Sequence, residues 1–107
     1  MPLAYALPYE KTNIIVFLDH IRNTVEPKLA PILLAHVLVH EITHMLEGTA
    51  RHSATGIMKA NWTPADYQEM SHRPLPFAAE DVLLVRIGLA RREIPTMVAV
   101  TAAQTTN

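Results

Sequence analysis

A chain of 107 residues with 50% apolar and 18% charged side chains has the length of one domain and enough apolar surface for a modest core, which excludes disorder and argues against a second domain. Its formal net charge of −1, with nine scattered basic residues against ten carboxylates, leaves no basic patch for a phosphate backbone, so nucleic acid is not an expected partner. With no cysteine there is neither a disulfide framework nor a thiolate site, and any metal must be held by His, Asp or Glu.

Residues 1–12 contain Pro2 and Pro8 and no hydrophobic period, which predicts an irregular arm. They lack the basic-then-apolar order of a signal peptide, and Ile14–Leu18 is too short to span a bilayer, so the chain reads as soluble with no membrane partner. Asn13–Asp19 is rich in β-branched and aromatic residues and predicts a strand. From Pro31, suited to a first helical turn, Leu33, Leu34, Val37, Leu38, Ile42, Met45 and Leu46 recur at helical spacing until Gly48 offers a left-handed stop. The main helix is therefore Pro31–Glu47.

Thr63-Pro64-Ala65-Asp66 combines an N-cap hydroxyl, a proline at the first helical position and an acid at the positive end, which predicts a short helix to about Met70, closed off by Pro74 and Pro76. Ala78–Arg92 opens on Glu80 and Asp81 and closes on Arg91 and Arg92, matching the helix dipole at both ends, with Val82, Leu83, Val85, Ile87 and Leu89 as expected core contacts. The residues from about 95 to 107 have no amphipathic period and are expected to fray. No internal repeat interrupts this order, and residues 1–107 read as a single domain with a small core, for which self-association into a homo-oligomer is an open expectation.

His40-Glu41-Ile42-Thr43-His44 carries the chemistry. Two histidines at i and i+4 share one helix face a turn apart, a spacing that lets both imidazoles reach one zinc at roughly 2.0–2.1 Å. Glu41 follows the first ligand and lies beside the metal without binding it, where it can take a proton from a coordinated water. Such an arrangement points to a catalytic site, because structural zinc is usually saturated by protein ligands.

His52, eight residues past His44 and beyond the Gly48 turn, is the expected third ligand. His36 shares the face of His40 but lies two turns, about 11–12 Å, from His44 and reads as a core or supporting histidine. His20 and His72 have no ligand spacing and read as surface or locally bonded residues. Glu47 is a weak rival ligand or a supporting carboxylate on the same face. Glu80 or Asp81 would be the acid ligand of an arrangement that draws on the later helix, although capping explains Glu80 more simply.

The run His40-Glu41-Ile42-Thr43-His44-Met45-Leu46-Glu47-Gly48-Thr49-Ala50-Arg51-His52-Ser53, followed by Gly56-Ile57-Met58, resembles the metzincin clan of zinc endopeptidases. It is closest to the matrixin-like end of that clan, and is similar to short bacterial predicted metallopeptidases that carry a longer motif spacing. The resemblance implies His40, His44 and His52 as zinc ligands, Glu41 as general base, and Met58 as the methionine of a turn that forms an apolar floor beneath the metal. It also offers Tyr67 as a helper for the transition-state oxyanion, against a plain packing role. In the clan's usual pattern glycine and histidine stand three and six residues after the second ligand, whereas here Gly48 and His52 stand four and eight after His44.

Only 39 residues precede His40, too few for the clan's upper subdomain, so the expected fold is a reduced, mostly helical α+β zincin-like domain with an active-site helix, one or a few strands and a C-terminal helix. The clan pairs an extended substrate with a strand at the cleft rim, and Asn13–Leu18 is the strand expected to do this. The function implied is a zinc metallopeptidase acting on a peptide or protein substrate. The alternatives are a zinc hydrolase of a non-peptide amide, and a non-enzymatic zinc-binding or assembly module derived from such a peptidase.

Overall fold

Asn13–Phe17 (β2) turns one face to the core: Ile14 and Val16 are buried while their neighbours are only partly covered. In the computed structural model, which describes residues 2–6, 13–91 and 99–103, β2 lies between Ala4–Ala6 (β1), paired antiparallel, and Ala99–Ala103 (β3), paired parallel. Both flanking strands correct the sequence reading, which makes residues 4–6 part of an irregular arm and 99–103 part of a frayed tail. Strands of three and five residues carry too little period to be read, and their backbone groups find partners only once β2 is beside them. Residues 1 and 7–12 of that arm, and the rest of the tail, lie outside the described residues.

The strand expected to reach Asp19 stops at Phe17, and Leu18–Thr24 turns into a helix (α1) with Asp19 in its first turn and Arg22 in its last. Ile21 is its single buried residue, so it leaves no amphipathic pattern in the sequence. It is held by packing against the main helix rather than by propensity.

That main helix, Ala30–Glu47 (α2), has Pro31 in its first turn and ends at Gly48, whose left-handed φ of 70° lets its N–H donate to the His44 carbonyl. One stripe of α2 buries Leu33, Val37, His40, Glu41, His44 and Met45 together, so the apolar face and the chemical face are continuous. Around α2 pack β1, β2, α1, the short helix Pro64–Met70 (α3) and the last helix Ala79–Arg91 (α4). The start of α3 is a capping box: the Asp66 N–H donates to Thr63 Oγ1 at 3.2 Å, and the Thr63 N–H donates to Asp66 Oδ2 at 2.7 Å.

The expected core face of α4 is corrected. Val82 and Leu83 are 37% and 58% exposed, Val85, Ile87 and Leu89 are only partly covered, and the residues α4 buries are Asp81 and Gly88. A Cβ on Gly88 would lie 1.9 Å from the Leu46 carbonyl oxygen, so α4 meets α2 through its backbone. That close crossing turns much of the apolar stripe outward. The domain is α+β and mostly helical, and no helix among the described residues is long and apolar enough to cross a membrane.

Candidate metal centre

His40 and His44 project from one face of α2, each with its ring fixed from behind. His40 Nδ1–H donates to the Ile57 carbonyl at 2.7 Å and His44 Nδ1–H to the Thr49 carbonyl at 3.0 Å. A neutral imidazole with its proton on Nδ1 presents a bare lone pair at Nε2. The two Nε2 atoms are 3.1 Å apart, so two lone pairs face each other, an arrangement that calls for a cation between them. Two ligands on a tetrahedral zinc would stand roughly 3.3 Å apart. Burial holds both imidazoles below their ordinary pKa, that of His44 down to about 4 with a further push from His40. Both are therefore neutral, as metal ligands must be.

The chain leaves α2 at Gly48 and returns His52 to the same point. One ligand nitrogen from each of His40, His44 and His52 lies within 4.8 Å of the others. The His52 ring stands 4.9 Å from that of His44 and 5.5 Å from that of His40, centroid to centroid. Unlike the other two it is exposed. Buried imidazole nitrogens, carbonyl-fixed tautomers and an exposed third ring fit a metal ion with one side open to solvent.

Beyond His52 the chain folds into a tight turn closed by Ser53 N–H donating to the Met58 carbonyl at 2.9 Å. Gly56, at φ 80°, sits so close to the chain at Pro76 that a Cβ would lie 2.3 Å from the Pro76 oxygen; only glycine fits both the dihedral and the space. Met58 is fully buried in the core cluster. The preceding residue, Ile57, supplies the carbonyl that orients His40 and also accepts from Trp62 Nε1 at 3.3 Å.

Glu41, itself buried, lines an open cleft of about 490 Å3 together with His40, His52, Leu3, Trp62 and Tyr67. Burial keeps the Tyr67 phenol protonated well past neutrality. The rim strand of this cleft is not the expected one. Asn13–Phe17 is the central strand, flanked on both sides, and the strand at the sheet's edge whose residues line the cleft is β1, through Ala4.

The three acidic rivals point elsewhere. Arg51 gathers them, donating to Glu47 at 3.3 Å, Asp81 at 2.8 Å and Glu80 at 3.1 Å, while Ser53 Oγ–H donates to Asp81 Oδ2. Burial alone would raise the Asp81 pKa, but the bonds from Ser53, Glu47 and Arg51 outweigh it and hold Asp81 ionised. Glu47 goes the other way: its enclosed carboxyl, with Oε2 short of a partner unless protonated, is pushed up to about 7 by burial and by its bond to Asp81. This cluster was not legible in the sequence, where Asp81 is a first-turn acid and Arg51 a loop cation thirty residues away; only the crossing of α2 and α4 joins them.

A pH dependence follows from Glu47. An acid whose folded pKa is raised from 4.5 to about 7 binds more protons folded than unfolded between those values, so its contribution to stability declines as pH rises through that window. Glu47→Gln removes this contribution. In urea unfolding of metal-free protein, the variant is expected to gain about 2 kcal/mol on wild type between pH 5 and pH 8. A pH-independent difference would mean that Glu47 titrates normally.

His36 is a structural residue. Its Nδ1–H donates to the Ile32 carbonyl at 2.9 Å, its Nε2 accepts from the Leu75 N–H at 3.1 Å, and its ring stands edge-on to Trp62. His20 bonds the Pro2 carbonyl, and His72 is exposed. Comparison with known family models, with curated proteins and with solved structures finds no match to this chain.

Proposed function

We propose that this protein is a zinc-dependent metallopeptidase of reduced, zincin-like form. The observation that carries the reading is the convergence of His40, His44 and His52 within 4.8 Å beside Glu41, in a cleft that an edge strand borders. His40 and His44 would hold the ion through their Nε2 atoms, and His52 would complete the set. Zinc in such a site supplies Lewis acidity toward a carbonyl and lowers the pKa of a bound water.

The chain's own residues divide the remaining work. Glu41 accepts a proton from the attacking water and delivers it to the leaving amine. The Ile57 and Thr49 carbonyls keep His40 and His44 in the ligand tautomer. Strand β1, at the edge of the sheet among the described residues, would pair with an extended peptide, which selects for unfolded or flexible segments. Tyr67, protonated and in the same cleft, is a donor for the developing oxyanion.

The test pairs metal content with turnover of a mixed fluorogenic peptide library. Wild type is expected to hold one zinc per chain and to cleave peptides in a chelator-sensitive manner, and His44→Ala to lose both properties. Zinc bound without any peptide hydrolysis would overturn the peptidase reading in favour of a binding module, or of a hydrolase for other amides.

A further inference from the structure

We propose that Asp81 is a positioning residue for the third metal ligand: by holding Arg51 and Ser53 on either side of His52, it presents the His52 imidazole to the His40–His44 pair. The proposal rests on the metal-site reading above and adds α4 to the machinery of that site.

The three histidines are not held alike. His40 and His44 stand on a helix, and a backbone carbonyl fixes each ring at Nδ1. His52 stands on a loop, is exposed, and has no hydrogen bond to its ring among the described residues. Ligands are ordinarily oriented through their second nitrogen; among the described residues no such bond reaches His52, and its placement falls to its neighbours in the chain.

Both neighbours end on one carboxylate. Arg51 Nη1 donates to Asp81 Oδ1 at 2.8 Å, Ser53 Oγ–H donates to Asp81 Oδ2, and Arg51 Nη2 closes the ring by donating to Ser53 Oγ at 3.2 Å. Asp81 is 0% exposed, which makes these bonds strong and their loss costly, since an ionised carboxylate without partners is poorly tolerated in the interior. On the far side, Ser53 N–H is tied to the Met58 carbonyl, and the same guanidinium reaches Glu47 at the end of α2. His52 is thus one residue suspended between two fixed ones. The eight-residue reach from His44 leaves more loop freedom to be removed than a shorter link would, and the Arg51–Asp81–Ser53 ring removes it.

The experiment measures zinc affinity by chelator competition, and cobalt absorption, for wild type, Asp81→Asn, His52→Ala and the double variant. Asp81→Asn is expected to weaken zinc about 10–100-fold and to shift the cobalt spectrum toward that of His52→Ala. In the His52→Ala background it is expected to change neither. Ser53→Ala, which spares the Arg51–Asp81 ion pair, guards against loss of fold. It is expected to repeat the pattern at about 3–10-fold, with Glu80→Gln, an exposed partner of the same guanidinium, unchanged. An equal loss of affinity in both backgrounds would reduce Asp81 to general stability, and unaltered affinity in wild-type background for both Asp81→Asn and Ser53→Ala would overturn the proposal while leaving the metal site standing. A wild type that takes up no metal would overturn both.

Discussion

Glu41→Gln is expected to leave the zinc content unchanged and to lower peptide hydrolysis by roughly two to four orders of magnitude. The substitution keeps the size of the side chain and its place on the buried face of α2, but an amide does not accept a proton from water. Glu41 is absent from the triad of ligand nitrogens, so metal retention and loss of turnover should separate cleanly. The measurement is kcat on a peptide that wild type cleaves, beside elemental analysis of the same preparations. Turnover within a few-fold of wild type would mean that another group takes the proton, and loss of zinc would mean that Glu41 supports the ligands rather than the reaction.

Gly88→Ala is expected to destabilise the fold by roughly 2–3 kcal/mol, lowering Tm by on the order of 10 °C. In an isolated helix the same change is favourable by about 1 kcal/mol, so the sign itself is diagnostic. The added methyl would fall 1.9 Å from the Leu46 oxygen, within the last turn of α2, and the obstacle is backbone, which has no rotamer by which to yield. Relief requires α4 to withdraw from α2. Since Leu46 is two residues from His44 and α4 carries Asp81, metal affinity should fall with stability. Thermal unfolding of Gly88→Ala beside wild type decides the matter, and a neutral or raised Tm would refute the close crossing.

The two results bear on one feature of the molecule. The chemical face of α2 is held from above by a turn and from the side by a helix: the Ile57 carbonyl orients His40, and the Asp81 carboxylate gathers the chain on both sides of His52. A small domain with few strands has little mass with which to immobilise a site. Here the immobilising contacts are polar and short in range, and they are concentrated within a few residues of His40, His44 and His52.

Much of this was legible in the sequence because it depends on neighbours along the chain. Helical spacing from Pro31, the stop at Gly48 and the i, i+4 histidines place His40, Glu41 and His44 on one face without reference to the rest of the molecule. The cap at Thr63 is equally local. What the sequence concealed depends on partners far away in the chain. Residues 4–6 and 99–103 are strands because β2 lies beside them, and Asn13–Phe17 is central rather than a rim strand for the same reason. Leu18–Thr24 is a helix with one buried residue, too few to announce itself. Hydrophobicity suggested Val82 and Leu83 for the core of α4, and Asp81 and Gly88 occupy it, because a glycine permits the closest approach of two backbones and a carboxylate can be buried where Arg51 and Ser53 meet it. Periodicity along one helix could determine which residues share the face of His40 and His44; the order of the strands and the crossing of α4 over α2 decided what borders the cleft and what Arg51 and Ser53 meet on either side of His52, since both are set by pairings between segments that the sequence keeps apart.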